Sequence, residues 1–173
     1  DMAPPADGRS FSEEEQAELY AAYGLSLADR PEGLAAQAVS TGLLDILLPV
    51  RDLAALERAE QNEGEVPRLS ERYGVVGVHM FCPHTPDAAA HCRNFAPLYA
   101  IPEEAATGTS NGALVYYLYR HGLVELDKVY TVVQGEKMGR PSMISAQVIL
   151  KDGQPFVKVG GPAVTLVRGE IEL

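Results

Sequence analysis

Positive charge is what this chain has least of: 14 lysines and arginines stand against 24 aspartates and glutamates, a formal charge of −10 at pH 7. Nucleic acid is held by cations that neutralise phosphates, and the balance here runs the other way. A small molecule or a protein is therefore the expected partner, and nucleic acid is not. Cysteine is scarce too. Two in 173 residues do not make a disulfide framework, so a reducing cytoplasm is expected. No apolar run approaches the roughly 18–20 residues of a membrane span, which argues against a membrane partner. The opening DMAPPADG is acidic and proline-rich, where a signal peptide has a basic start and an apolar middle. Internal repeats and low-complexity segments are missing as well.

What is present suits one sizeable core, with 46% apolar and 22% charged residues. Residues 1–10 read as a linker or tail. Ser12 and Glu15 form a capping box that starts a helix to about Tyr23, with Gly24 as its stop. Residues 27–33 read as loop, and 35–41 and 43–50 as two strands around Gly42. Asp52 caps a second helix to about Gln61, 62–67 is a polar turn, and 69–73 is a helical fragment ended by Gly74. Residues 75–82 alternate as a valine-rich strand, with 89–95 as its neighbour. Beyond Gly122 the pattern is all-β, with strands at 128–134, 142–150, 155–160, 163–167 and 170–173. Lys151-Asp152-Gly153-Gln154 reads as a hairpin turn.

The stretch between these halves is EEAATGTSNGALVYYLYRHG, Glu103–Gly122. Ala113 to Tyr119 carry no charge, and a helix apolar all round must be buried on all sides. The whole inventory predicts an α+β fold: a curved mixed or antiparallel sheet, barrel-like, wrapped around a central buried helix. A sandwich has no place for such a helix. Parallel βαβ architecture fits poorly, because the strands come in runs.

The head of that helix is where chemistry is expected. Thr107-Gly108-Thr109-Ser110-Asn111-Gly112 gathers up to four unpaired backbone N–H groups, and its glycines leave a ligand room to reach them. Such an end attracts anions. An ordinary N-cap followed by small residues for close packing is the plainer reading. Glu103 and Glu104 stand just before it, either complementing the helix dipole or supplying a buried acid/base. Desolvation would favour the protonated form of such a group and the helix end the carboxylate.

RNFAPLYAIPEEAATGTSNGALVYYL resembles the signature R-x-F-A-P-x-x-G-I-x-E-D-P-A-T-G-S-A-x-G-A-L of the phenazine-biosynthesis isomerase family, which shares the diaminopimelate epimerase fold. The likeness continues at Gln134-Gly135, Met138-Gly139-Arg140-Pro141-Ser142, Val159–Ala163 and Gly169-Glu170, and upstream at Val39–Gly42 and Leu47–Val50. It covers about Leu34 to the C-terminus.

The resemblance implies two similar lobes, each a curved sheet around a helix, with the active site between them. It implies isomerisation of a small carboxylate by proton transfer, with no metal and no organic cofactor. The motif acid falls on Glu104, the substrate-contacting serine on Thr109, and the cleft glycine on Gly108. Thr107 takes the place of a catalytic cysteine in the related epimerases, so a two-cysteine mechanism is not expected. Thr107 and Ser110 join Gly108 and Thr109 as expected substrate contacts, and Arg93, Arg140 and Ser142 are candidates for the cleft wall. For Arg93 a structural salt bridge is the favoured alternative.

Three departures from the family pattern bear on the site. Glu104 replaces an aspartate, moving the carboxyl by about 1 Å. Ala105 replaces proline, and Ala100 replaces glycine. The family's proton-moving glutamate and its glycine-histidine pair belong to an N-terminal half that has no equivalent here. The expectation is a C-terminal lobe at 34–162, led in by 1–33 and followed at 163–173 by a strand that normally returns to the first lobe. The missing lobe would come from another chain or be lost, and a homodimer is expected. A non-catalytic binding or assembly protein that keeps the fold is the rival reading, and Glu104, Ala105 and Thr109 would be its marks. Cys82, His84, His91 and Cys92 have the ligand types for tetrahedral zinc. His91 and Cys92 would point to opposite faces of a strand, however, and no metal is expected.

Overall fold

The computed structural model describes residues 1–83 and 85–171. Among them, nine strands form one sheet: β1 Ala6–Ser10, β2 Gln37–Ser40, β3 Leu44–Pro49, β4 Gly77–Pro83, β5 Ala90–Ala96, β6 Ile101–Glu104, β7 Val129–Gln134, β8 Ser142–Lys151 and β9 Gln154–Gly160. The spatial order is β1-β2-β3-β4-β5-β7-β8-β9, with β6 paired to β5 off that path. Four helices accompany it: α1 Glu13–Ala21, α2 Leu53–Arg58, α3 Glu65–Tyr73 and α4 Gly108–Arg120. The sheet curls around α4. Before β1, Met2 N donates to Val157 O of β9 at 3.0 Å, bringing the two ends of the curl together.

Two apolar clusters hold the elements. Strand alternation sends Ile46 and Leu48 to one face of β3 and Leu47 to the other. The first set joins Leu19, Tyr20, Tyr23, Leu69, Met80 and Phe95 beneath α1, α2 and α3. The second joins Val39, Phe81, Cys92, Val132, Val148 and Val157 around Ala113–Leu118 inside the curl. Strands buried on both faces read as near-continuous apolar runs, which is why β3 and β4 do. Every residue from Ser110 to Leu118 is buried, as a helix apolar all round requires.

Several local signals act as the sequence indicates. Ser12 caps α1 with its reciprocal Glu15 bond, Asp52 accepts the Ala55 amide at 2.7 Å, and Gly74 ends α3 at φ +65°. Asp152 and Gly153 turn the β8–β9 hairpin with φ of +52° and +76°.

Other segments differ, each for a physical reason. Residues 6–10 are a strand rather than a tail, because β1 pairs antiparallel with the otherwise open edge of β2. α3 starts at Glu65, not Leu69. Pro67 lies in its first turn, where a missing N–H costs nothing. Two pairings are parallel. β3 runs with β4 across α2 and α3, and β5 runs with β7 across β6 and α4, so helical crossovers do occur inside the runs of strands. The expected strand at 163–167 does not form, because those residues pair with no described strand and lie exposed. Of the strand expected at 170–173, residues 172 and 173 lie outside the described residues. Among the described residues, no helix is long and apolar enough to cross a membrane.

Candidate active site

β6 delivers the chain to the head of α4 and then breaks, so Glu104 ends a strand and Thr107 occupies the N-cap. Thr107 does not cap in the usual way. Its hydroxyl donates instead to Glu104 Oε2 at 2.8 Å, fixing the half-buried carboxylate beside the helix end. The first intrahelical bond to the N-cap is Asn111 N to Thr107 O at 3.1 Å. The amides of Gly108, Thr109 and Ser110 meet no acceptor among the described residues. Three aligned donors at the positive end of a 13-residue helix make an anion cradle, and Glu104 is its neighbour.

The rest of the head is braced from below. Thr41 Oγ1 donates to Thr109 O at 2.8 Å. Ser110 turns its hydroxyl inward to Asp45 Oδ2 at 2.5 Å, so only its backbone N–H remains for a ligand. Asp45 is 4% exposed. Burial pushes its carboxyl up to about 6, against the Ser110 and Gly77 donors that favour the charged form. Gln134 sits at the end of β7 and stitches the loop. Its Nε2 donates to Glu104 O at 2.6 Å and to Thr107 Oγ1 at 3.1 Å, while its Oε1 accepts from Thr107 N at 3.2 Å. Gly112 lies where a Cβ would come 3.1 Å from Thr41 Oγ1 and 3.3 Å from Val159 Cγ2. That packing, rather than ligand access, accounts for this glycine.

The structure brings Glu104, Thr107, Gly108, Thr109 and the Ser110 amide to one point. Glu103 and Arg93 go elsewhere. The Arg93 guanidinium forms a two-pronged pair with Glu103, 2.9 Å on each side. It also holds Leu56 O and Ala59 O at the C-terminal end of α2 at 3.0 and 2.6 Å. Arg93 thus faces the α2 side of the sheet, lining a separate cleft of about 290 Å³, and takes its structural role rather than a place beside α4. Arg140 and Ser142 come near through the β7–β8 turn. A Cβ on Gly135 (φ +87°) would lie 2.9 Å from Ala105 Cα and 2.4 Å from Arg140 O, so this turn packs directly on the loop that follows Glu104. Arg140 is exposed, and among the described residues Ser142 Oγ donates only to the Arg140 carbonyl, at 3.3 Å. Ala100 has φ +58°. A backbone in that region explains why the resembled family carries glycine there.

Of the four zinc-type residues, His84 lies outside the described residues. Cys82 and Cys92 belong to different apolar clusters. His91 is held by Glu136 at 2.6 Å and Asp87 at 3.1 Å, which raise its pKa against the opposing effect of burial. No group of three or more metal-ligating side chains converges among the described residues.

Asp45, His79, Asn94, Asn111 and Gln134 escaped the sequence reading as site residues. A signal existed for most of them. Asp45, His79 and Gln134 each stand as a single polar residue within or at the end of an apolar run, and such a residue needs a hydrogen-bond partner in the core.

Comparison with known proteins gives one answer. A family model described as "Phenazine biosynthesis-like protein" matches residues 2–169. An "Uncharacterized isomerase" of Deinococcus radiodurans is 35% identical over 97% of this chain and 56% of its own length. A "Trans-2,3-dihydro-3-hydroxyanthranilate isomerase" of Pseudomonas chlororaphis is 40% identical over 47% of this chain and 30% of its own. Among solved structures, a Bacillus anthracis phenazine biosynthesis protein of the PhzF family superimposes with a TM-score of 0.81 at 22% identity. It covers 92% of this chain and 55% of that one. A predicted epimerase from Pseudomonas aeruginosa gives 0.72 at 26% identity, covering 96% and 57%. The chain spans a little over half the length of the curated relatives it matches most fully.

Proposed function

Because the chain belongs to the phenazine-biosynthesis-like protein family, we propose that it is one lobe of an isomerase that moves a proton on a small carboxylate substrate without a cofactor. The single observation that carries this reading is the pairing at the head of α4. Three amides without acceptors among the described residues adjoin a carboxylate held by its own threonine. The substrate carboxylate sits on the amides of Gly108, Thr109 and Ser110, where the helix dipole favours negative charge. The Thr109 hydroxyl donates to it. Glu104 accepts or returns the proton at the adjacent carbon, and the Thr107 hydroxyl holds its carboxyl group in place.

A second proton-transfer group comes from an N-terminal lobe that closes over the exposed Gly108. The exposed Val164, Leu166, Val167 and Ile171 support a neighbour of that kind, since apolar side chains grouped in one segment gain by burial. The lobe travels as a separate chain or as part of a longer one, and mass spectrometry of the purified assembly reads which.

The test is exchange from heavy water. The protein, purified with any chain that accompanies it, is incubated with trans-2,3-dihydro-3-hydroxyanthranilate and a panel of amino-acid and aromatic carboxylates. Deuterium should enter one bound acid, and Glu104→Gln should lower that rate about 10²–10⁴-fold while calorimetry still detects binding. An acid that binds the wild-type protein and never exchanges makes this a binding protein instead.

A further inference from the structure

Beneath the anion cradle, a line of buried amide and imidazole groups runs from β5 to the Glu104 loop. His79 on β4 is 0% exposed, and its Nδ1 lies 2.9 Å from Asn94 Oδ1. Two buried atoms in this line, His79 Nε2 and Asn111 Oδ1, meet no partner within ordinary hydrogen-bond geometry among the described residues. Asn111 is nevertheless the second hydrogen-bonding neighbour of the His79 ring. The two unfulfilled atoms are therefore each other's natural partner, provided that one of them carries a proton.

The far end of the line decides which. Glu104 O can only accept and Thr107 N can only donate, so Gln134 must turn its NH2 to the first and its oxygen to the second. That oxygen accepts from Asn111 Nδ2 at 2.6 Å, and the same NH2 reaches Thr107 O at 2.9 Å. The Asn111 oxygen is then left for His79, and only an Nε2–H can meet it. Asn94 is free to follow, since its amide makes no other side-chain hydrogen bond among the described residues. Turned so that its NH2 donates to Nδ1, it completes the line. The opposite assignment, Nδ1–H toward Asn94, sets two lone pairs face to face where burial makes an unmet acceptor costly.

We propose that His79 is a positioning residue for the site, its proton on Nε2 fixing the Asn111 amide and, through Asn111 and Gln134, the 104–107 loop that carries the acid. Burial lowers its pKa to about 4, so the ring stays neutral at physiological pH and serves as a fixed donor rather than a switch. The effect on turnover rests on the proton-transfer reading of Glu104. The tautomer does not.

Long-range proton–nitrogen NMR on the histidine-labelled full chain reads the tautomer of each ring, and the signals lost in His79→Gln identify His79. The expected form is Nε2–H in the wild type, moving to Nδ1–H in Asn111→Leu, where the acceptor is gone and Asn94 can turn its oxygen back. A wild-type ring protonated on Nδ1 overturns the inference, as does a tautomer indifferent to Asn111→Leu.

Deuterium exchange supplies the second readout. His79→Gln keeps a donor near the Nε2 position and should retain most of the turnover. His79→Leu should lose about 10–100-fold in kcat with KM little changed, because the loop with Glu104 shifts while the Gly108 and Thr109 amides stay in place. Equal kcat losses in the two variants overturn the positioning role. If the wild type exchanges no acid, the isomerase reading falls, and the NMR result still decides the assignment of His79.

Discussion

At the head of α1, Ser12 Oγ accepts the Glu15 amide at 3.2 Å and Glu15 Oε2 accepts the Ser12 amide at 2.9 Å, with Arg9 closing over both carboxylate oxygens. At the head of α4 a threonine occupies the same N-cap position, and a glutamate again bonds a cap residue, but the pattern is inverted. Here the hydroxyl donates to the glutamate, and three backbone amides are left without an acceptor. α1 spends its polar groups on its own end and sits at the surface. α4 is buried along nearly its whole length, so packing in the curl holds the helix and its head need not be capped. The stability of a central helix is what lets its terminus be kept for a ligand.

The largest effects should separate these two glutamates. Glu104→Gln is expected to abolish most exchange while leaving the fold intact, whereas Glu15→Gln should leave exchange untouched. Comparable losses in turnover would dissolve the distinction between a structural and a chemical helix end.

Next comes the acid that each helix end keeps beside it. The Ser12 amide, its largest influence, and Arg9 hold Glu15 below its usual carboxylate value. Its stabilising effect is therefore present above pH 4.5 and lost as pH falls through the folded value. Asp45 goes the other way, from 3.8 to about 6, because it is buried under α4. The native state keeps a proton that the unfolded chain releases, so this group's effect on stability worsens as pH rises from 3.8 to about 6 and is level above that. The full penalty at neutral pH is about 3 kcal/mol. Asp45→Asn retains an acceptor for Ser110 and removes the charge. Denaturant melts of the two proteins should agree below about pH 4 and diverge above it, with the variant the more stable. A difference that does not change with pH would sink the account of Asp45.

How far the sequence revealed all this depends on whether a signal was local. The capping box at Ser12, the Asp-Gly hairpin and the all-apolar run at 113–119 act over a few residues, and each was legible. So was the clustering of Glu104, Thr107, Gly108 and Thr109, which are neighbours in the chain. β1 was not, because Ala6–Ser10 are exposed and owe their strand to pairing with β2, some thirty positions on. Asp45, His79 and Gln134 come from three different strands and meet only when the sheet curls around α4. Arg93 failed as a wall of the same site for a related reason. Period-two alternation placed it on the opposite face from Asn94 and Cys92, a fact that depends on which face of β5 the curl encloses.

A middle-sized effect tests the α1 side alone. Ser12→Ala removes one accepted amide and should cost about 1 kcal/mol of stability, read as a shift in the denaturation midpoint with an unchanged slope. Exchange kinetics should be unaffected. A change in kcat here would mean that α1, on the far side of the sheet, is coupled to the site through the shared strands.

The smallest expected change in stability is at Gly108. Its φ is not in the left-handed region, and an added Cβ would stand 3.8 Å from Val159 Cγ1, an ordinary contact. Nothing in the fold therefore needs glycine at this position. Gly108→Ala should stabilise the protein by roughly 0.4–1 kcal/mol by restricting the unfolded chain. The new methyl group, however, stands among the amides that receive the substrate carboxylate. Binding should weaken and KM rise, with kcat nearly preserved because Glu104 and its threonine are untouched. A more stable protein with an unchanged KM would show that the head of α4 is only a helix end, and the anion would have to be sought elsewhere.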